Sequence, residues 1–153
     1  MPQKSKHFPP VLSLLALSLM ASVSLANEGV ISSIDNRKAE LTSLSNHIWD
    51  LAEVGYLEHK SSAALQATLS KEGFSIETGV GDIPTAFIAS YGSGEPVIAV
   101  MGEFDALPGI SQAAVPYPEK IPGKTAAQAC GHHLFGAGSA GACLLYTSPS
   151  PRD

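Results

Sequence analysis

The residues best suited to chemistry lie together in the stretch QACGHH, residues 128–133. Cys130 and His132 are separated by one glycine, so both side chains can reach a common site where a helix begins. A thiolate and a neutral imidazole are suitable ligands for zinc-like metals. The same two residues could instead form a nucleophilic Cys/His pair, and Cys130 alone could be a small buried hydrophobic residue. The spacing by itself leaves these three alternatives open.

Two carboxylates form a second group of candidates. Glu103 and Asp105 follow the continuous apolar run VIAVM, residues 97–101, which is typical of a strand buried on both faces of a sheet. Open α/β sheets place their sites at the carboxyl ends of such strands, so we expect both acids to lie near a site. Solvated acids in an ordinary loop would give the same pattern.

The elements that must position these residues are predicted to be two helices followed along the chain by strands. Apolar residues at helical spacing predict one helix over residues 34–52 and a second that begins near 61–62 and ends at Gly73. Strands are predicted over residues 74–78, 85–91 and 97–101. Small residues after position 133 predict a further helix packed closely on a sheet. Together these elements indicate an α/β sandwich.

Both ends of the chain differ from the middle. Residues 1–26 combine lysines, a short apolar run and small residues before Ala26, a pattern that predicts a signal peptide and export to the periplasm or outside the cell. Residues 143–153 match one reading frame of a transposase sequencing adapter at every position, and we interpret them as a sequencing artefact. The remaining segment, residues 27–142, holds a single cysteine, so no disulfide is expected within it.

Charge and hydropathy argue against two kinds of partner. The chain has 9 Lys and Arg against 14 Asp and Glu, a formal net charge of −5 at pH 7. This balance argues against nucleic acid or an anionic membrane surface as the partner. The apolar run near the N-terminus is short for a membrane span, so stable membrane insertion is not expected either.

Taken together, the motifs resemble the metal-dependent amidohydrolases of metallopeptidase family twenty, the relatives of aminoacylase, carboxypeptidase G and hippurate hydrolase. The resemblance rests on GEFDALPGISQ at residues 102–112 and ACGHHLFG at 129–136. The stretch IWDLAEVGYLEHKSS at 48–62 is similar to the first-helix pattern of the p-aminobenzoyl-glutamate hydrolase branch. The resemblance implies that the chain is the truncated N-terminal part of a zinc-peptidase-like α/β sandwich catalytic domain.

The resemblance also implies roles for individual residues. Cys130 and His132 match the positions of the family's first two metal ligands, and Asp105 matches a supporting acid near the site. Glu103 and His133 are candidates for an additional site, although neither has a defined role. His133 departs from the Asn or Asp that the family usually has after the CGH motif.

The implied chemistry is hydrolysis of an amide that joins an acyl or aroyl group to an amino acid, as in p-aminobenzoyl-glutamate. Two divalent ions, Zn or Mn, Co or Ni, would activate a water molecule, and a glutamate would accept its proton. In the family this glutamate and the remaining ligands lie beyond the position that corresponds to residue 142, so we expect this chain to be inactive. The full-length protein is expected to form homo- or hetero-oligomers.

Two other functions remain compatible with the residues. One is a thiol hydrolase in which Cys130 is the nucleophile and a neighbouring histidine is the base. The other is an exported module that binds a metal or a peptide without catalysis.

Overall fold

The computed structural model describes the backbone of residues 10–147 and the side chains of residues 28–147. Three helices dominate it: α1 (Pro10–Leu51), α2 (His59–Lys71) and α3 (His132–Thr147). The two helices predicted in the first half of the chain are confirmed, as the second part of α1 and as α2. The helix predicted after Cys130 is confirmed as α3.

Local signals explain where α2 ends. Gly73 has a φ of +93°, a left-handed conformation that favours glycine. The backbone N–H of Gly73 donates to the carbonyl of Ser70, and that of Phe74 donates to the carbonyl of Leu69. These bonds satisfy carbonyls of the last turn and direct the chain into the first strand.

The strands form two small antiparallel sheets. In the first, β1 (Ser75–Thr78) pairs with β2 (Phe87–Ser90), with Ser75 opposite Ser90. A single 3₁₀ turn at Val80–Asp82 lies between these strands. In the second sheet, β3 (Leu107–Pro108) pairs with β4 (Ala126–Ala127). The strands predicted over 74–78 and 85–91 are therefore confirmed in shortened form.

The predicted buried strand over residues 97–101 is wrong. This segment has no regular secondary structure, and its side chains are largely exposed, by 76% at Val97, 63% at Ile98 and 72% at Met101. A buried strand needs a hydrogen-bonded neighbour on its edges and cover on its faces. No strand of residues 10–147 pairs with this segment. The expected placement of Glu103 and Asp105 at the carboxyl end of a strand is therefore wrong too.

One core holds the helices and the first sheet together. Its buried residues come from α1, α2, the segment before β1, and α3: Leu44, Ile48, Leu65, Leu69, Phe74, Ala137, Ala140 and Leu144. Helices combined with small antiparallel sheets are compatible with the predicted α/β class. The expected larger sandwich is not present among residues 10–147, where the one parallel pairing is an isolated bridge between Val54 and Ala106.

The interpretation of the chain ends stays a prediction. Residues 1–9 and 148–153 lie outside the described residues, while the backbone of α1 is helical through the predicted cleavage point near Ala26. The helix α3 includes residues 143–147, and Leu144 is fully buried in the core. Within the part of the chain that the structure describes, none of the helices combines the length and the apolar character needed to cross a membrane.

Candidate functional site

Three of the predicted site residues lie in direct contact. His132, the first residue of α3, has Asp105 Oδ1 at 2.7 Å from its Nδ1 atom and Glu103 Oε2 at 2.8 Å from its Nε2 atom. We call these three residues the acid–histidine cluster. Both ring nitrogens of His132 therefore face a carboxylate, and each distance is in the range of a charge-assisted hydrogen bond.

The loop that carries the two acids is anchored to the turn between α1 and α2. The backbone N–H of Ala106 donates to the carbonyl of Glu53 at 2.7 Å, and Val54 forms a parallel bridge with Ala106. Ala106 is almost completely buried. Since Asp105 immediately precedes this anchor, the backbone contact fixes the position from which its carboxylate reaches His132.

The same loop is anchored on its other side by α3 and the segment before it. Gln128 Nε2 donates to the carbonyl of Phe104 at 3.1 Å. A Cβ atom at Gly136 would lie 2.8 Å from the backbone oxygen of Glu103, closer than real side chains allow. Glycine at position 136 is therefore required for the loop to approach the first turn of α3.

Glu53 also supports the start of α2 through its side chain. Its Oε2 atom accepts hydrogen bonds of 2.8 Å from both the backbone N–H and the Oγ of Ser61, and its Oε1 accepts from the N–H of Lys60 at 3.2 Å. Partial burial acts to raise the pKa of Glu53, but these hydrogen bonds outweigh it, and the pKa is held below its usual value. One residue thus serves both the helix start and the site loop.

Cys130 does not join the cluster. Its thiol is free and exposed, which contradicts the alternative of a small buried hydrophobic residue. Gly131, at a φ of +81°, separates it from His132 in a turn. Among the residues with described side chains, no group of three or more His, Cys, Asp or Glu is arranged to hold a metal ion. Shared metal ligation by Cys130 and His132 therefore stays a prediction.

His133 faces a different part of the molecule. It lines a surface cleft of about 540 Å³ with Trp49, Asp50 and Gln112, on the side of α1. Its Nδ1 atom is buried, and no hydrogen bond from the described residues reaches it. Burial lowers the pKa of the His133 imidazole. The structure thus separates His133 from the acid–histidine cluster, although the two histidines are adjacent in sequence.

Sequence reasoning missed two residues that position the site, Gln128 and Glu53, and assigned a third, Gly136, only to helix packing. Gln128 lies inside the stretch that indicated a site, but no role was assigned to it. Glu53 lies about 50 positions before the acids, so its contact with them becomes visible only in the folded chain. Gly136 carried a usable signal, since small residues in a helix indicate close packing.

The donor chemistry of the cluster fits part of a metal site. A histidine that binds a metal through one ring nitrogen usually donates its other N–H to a carboxylate or carbonyl, which fixes the ring. Asp105 makes such a contact with Nδ1 of His132 and Glu103 makes one with Nε2, so either carboxylate can orient the ring for ligation through the other nitrogen. Cys130 offers an accessible thiol two residues away along the chain.

Comparison with known proteins supports a relationship with amidohydrolases and carboxypeptidases of the metallopeptidase family twenty type. No family model matches the chain. A subunit of the p-aminobenzoyl-glutamate hydrolase of Escherichia coli (strain K12) is 38% identical over 112 residues, which are 72% of this chain and 23% of that protein. The putative amidohydrolase YhaA of Bacillus subtilis (strain 168) is 29% identical over 113 residues, 72% of this chain and 28% of the relative.

A third relative is named as a carboxypeptidase. Thermostable carboxypeptidase 2 of Saccharolobus solfataricus is 31% identical over 94 residues, which are 60% of this chain and 23% of that protein. The chain thus spans about a quarter of the length of the relatives that it matches. The names of these relatives agree with the hydrolase class that the sequence motifs indicated.

Proposed function

We propose that this chain is the N-terminal part of an exported metal-dependent amidohydrolase that acts on N-acyl or N-aroyl amino acids, such as p-aminobenzoyl-glutamate. One observation carries the proposal: carboxylates hold the His132 ring in a fixed orientation, Asp105 at 2.7 Å from Nδ1 and Glu103 at 2.8 Å from Nε2, as is typical of carboxylates that orient a histidine ligand. The similarity to the p-aminobenzoyl-glutamate hydrolase of Escherichia coli supports the same substrate class.

In this proposal each residue of the site has a separate task. Cys130 and His132 supply the first two protein ligands, and Asp105 fixes the His132 ring in the orientation that ligation requires. Bound divalent ions, zinc or manganese, cobalt or nickel, would polarise the amide carbonyl and lower the pKa of a water molecule. The residues between 28 and 147 supply only part of such a site, so we propose that this chain alone does not hydrolyse the substrate.

The thiol-hydrolase alternative receives less support than the metal site. A nucleophilic cysteine needs a base within hydrogen-bonding reach to remove its proton. Both ring nitrogens of His132 are engaged by carboxylates, and no hydrogen bond joins Cys130 to either histidine among residues 28–147. The alternative of a non-catalytic binding module is distinguished by an activity assay of a longer protein that contains this chain. Such a module would bind zinc but would hydrolyse no N-acyl amino acid.

The proposal is tested by zinc binding to the intact 153-residue chain, measured by equilibrium dialysis. Replacing Cys130 with serine or His132 with alanine removes a ligand and should abolish specific binding. Asp105→Asn keeps the ligands but weakens the orientation of His132, and should reduce affinity about 10- to 100-fold. Asp82→Asn, at an exposed position in the 3₁₀ turn, is the matched control and should leave affinity unchanged. Equal zinc affinity in all four variants would contradict the proposal.

A further inference from the structure

A surface cleft lies outside the acid–histidine cluster, where α1, α3 and the loop after β3 meet. We call it the His133 cleft; it is formed by Asn46, Trp49 and Asp50 of α1, by residues 112–115 of the loop and by His133. Its volume of about 540 Å³ falls within the range of protein sites that bind small molecules. The proposed hydrolysis assigns no task to this cleft.

The loop wall of the His133 cleft is held in place by its own hydrogen bonds. Gln112 Nε2 donates to the carbonyls of Ala113 and Tyr117, both at 2.9 Å. Gln112 Oε1 accepts from the backbone N–H of Glu119 at 3.2 Å, and the N–H of Ala113 donates to the carbonyl of Glu119 at 2.8 Å. The wall is therefore formed before any ligand binds. Because the Gln112 amide is already engaged, recognition of a ligand must come from the side chains of α1 and from His133.

Asp50 gives the cleft its charge. It is the only Asp, Glu, Lys or Arg that lines the cleft, it is exposed, and no ion pair among residues 28–147 includes its carboxylate. Lys124 Nζ donates instead to the backbone carbonyl of Asp50 at 2.6 Å and lies 5.4 Å from the centre of the Trp49 ring. The Asp50 carboxylate would repel an anionic ligand, whereas a cation can pair with it. The net charge of −5 acts in the same direction.

The other walls offer an apolar surface and one unpartnered polar atom. The Trp49 indole and the side chains of residues 113–115 supply the apolar surface. Nδ1 of His133 is the only buried side-chain nitrogen or oxygen without a hydrogen-bond partner among residues 28–147. Such atoms are rare in folded proteins, and a functional site is one of the settings in which they occur. This observation is independent of the Asp50 charge and indicates the same cleft.

We propose that the His133 cleft binds a small organic cation, a primary ammonium group on an aromatic body. The ammonium group pairs with the Asp50 carboxylate, and the aromatic ring lies against the Trp49 indole. Repulsion from the Lys124 ammonium keeps the affinity modest, with a dissociation constant of about 1 mM. The inference does not rest on the proposed hydrolase function, because no residue of the cleft belongs to the acid–histidine cluster and binding needs no metal.

The cleft can be tested by fluorescence, because Trp49 is the only tryptophan of the chain. Benzylamine, benzyl alcohol and benzoate carry the same ring with a positive, a neutral and a negative substituent at pH 7. In titrations of the intact chain, benzylamine should give a saturable change with an affinity at least about fivefold higher than that of benzyl alcohol. Benzoate should bind more weakly than either. Equal responses to the three compounds, or a response to benzylamine that does not saturate, would overturn the inference.

The variant Asp50→Asn distinguishes pairing in the cleft from a general effect of charge. It should weaken benzylamine binding about three- to tenfold and leave benzyl alcohol binding unchanged, because it removes the charge and keeps the shape. Asp35→Asn, at an exposed position earlier in α1, removes the same charge away from the cleft and should leave both affinities unchanged. Equal losses of benzylamine binding in the two variants would assign the effect to net charge and contradict the inference.

A second pair of variants tests the position of the ligand body. Ala114→Leu, at an exposed position in the loop wall, fills part of the cleft and should weaken the binding of both benzylamine and benzyl alcohol. Ala67→Leu makes the same change at an exposed position of α2, outside the cleft, and should leave both affinities unchanged. Unchanged binding in Ala114→Leu would mean that these compounds bind elsewhere, and the inference would fail.

Discussion

Residues 97–101 and residues 102–106 are adjacent in the chain, but they are held in opposite ways. The first segment is apolar and largely exposed, and it lines an apolar groove of about 580 Å³ beside β2 and α3. The second carries two acids and is fixed by Glu53, Gln128 and the close approach of Gly136. The comparison shows that hydrophobic character does not by itself bury a segment, whereas a few backbone contacts can hold a polar one in place.

The prediction with the largest expected effect on stability compares a buried isoleucine with an exposed one. Ile48 in α1 is fully buried, and Ile98 is 63% exposed. Ile48→Ala should lower the free energy of unfolding by about 2–5 kcal/mol, because it leaves a cavity in the core. Ile98→Ala should change it by less than about 0.5 kcal/mol. Chemical denaturation of both variants gives the two values, and a comparable loss at Ile98 would mean that residues 97–101 are buried in solution.

A second test concerns the close approach of the site loop to α3. Gly136→Ala places a Cβ 2.8 Å from the Glu103 oxygen and should destabilise the fold by about 1–3 kcal/mol. Gly138→Ala lies in the same helix with no atom within 4 Å of the new Cβ, so it should stabilise by up to about 1 kcal/mol. Thermal unfolding of the pair should therefore show shifts of opposite sign. Shifts of the same sign would argue against the packing of this loop on α3.

A third test uses pH to weaken the hydrogen bonds between the Glu53 carboxylate and the start of α2. Because its pKa is lower in the folded chain than in the unfolded one, the unfolded chain binds more protons in the acid range. The stabilisation from Glu53 is complete above the ordinary glutamate pKa of about 4.5 and is lost as the pH falls through the lower folded value. The pKa of Glu72 is lowered too, by its hydrogen bond from Arg37, and it acts in the same direction.

The variant Glu53→Gln separates the contribution of Glu53 to the pH dependence of stability from that of Glu72. At pH 7 this variant should lose about 1 kcal/mol, since a neutral amide accepts the hydrogen bonds of Ser61 and Lys60 less strongly. Its stability should then fall less between pH 7 and pH 3 than that of the unaltered chain. Parallel pH profiles of thermal unfolding for the two chains would contradict the assigned role of Glu53.

The smallest effect on stability is expected from a charge introduced into the exposed residues 97–101. Val97→Lys should leave the unfolding temperature nearly unchanged, since Val97 is 76% exposed. It should nevertheless increase the soluble, monomeric fraction in size-exclusion chromatography, because it interrupts an exposed apolar run. Ser93→Lys, in the neighbouring exposed turn, controls for the added charge alone. The same gain in both variants would assign the effect to net charge.

The features that sequence predicted correctly are those with local causes. Periodicity and Gly73 were enough to predict α2. Alternation predicted β1 and a short apolar run predicted β2, while the antiparallel pairing of the two strands was not predicted. The CGHH motif and the nearby acids gave the members of the acid–histidine cluster. Their pairing could not be predicted, because the distances from His132 to Glu103 and Asp105 depend on contacts with Glu53 and Gly136. The prediction of a buried strand over residues 97–101 was wrong for a related reason, since burial depends on packing partners that an apolar run does not specify.

The double attachment at Glu53 limits how the α1–α2 turn can change in length. Its carbonyl holds the site loop and its carboxylate holds the first turn of α2, so an inserted residue next to Glu53 would move one attachment relative to the other. Insertions there should be poorly tolerated, even though the turn lies at the surface at Tyr56 and Leu57. Among homologous sequences, we expect length variation to concentrate in residues 115–124, a loop that contains three prolines, and to spare this turn.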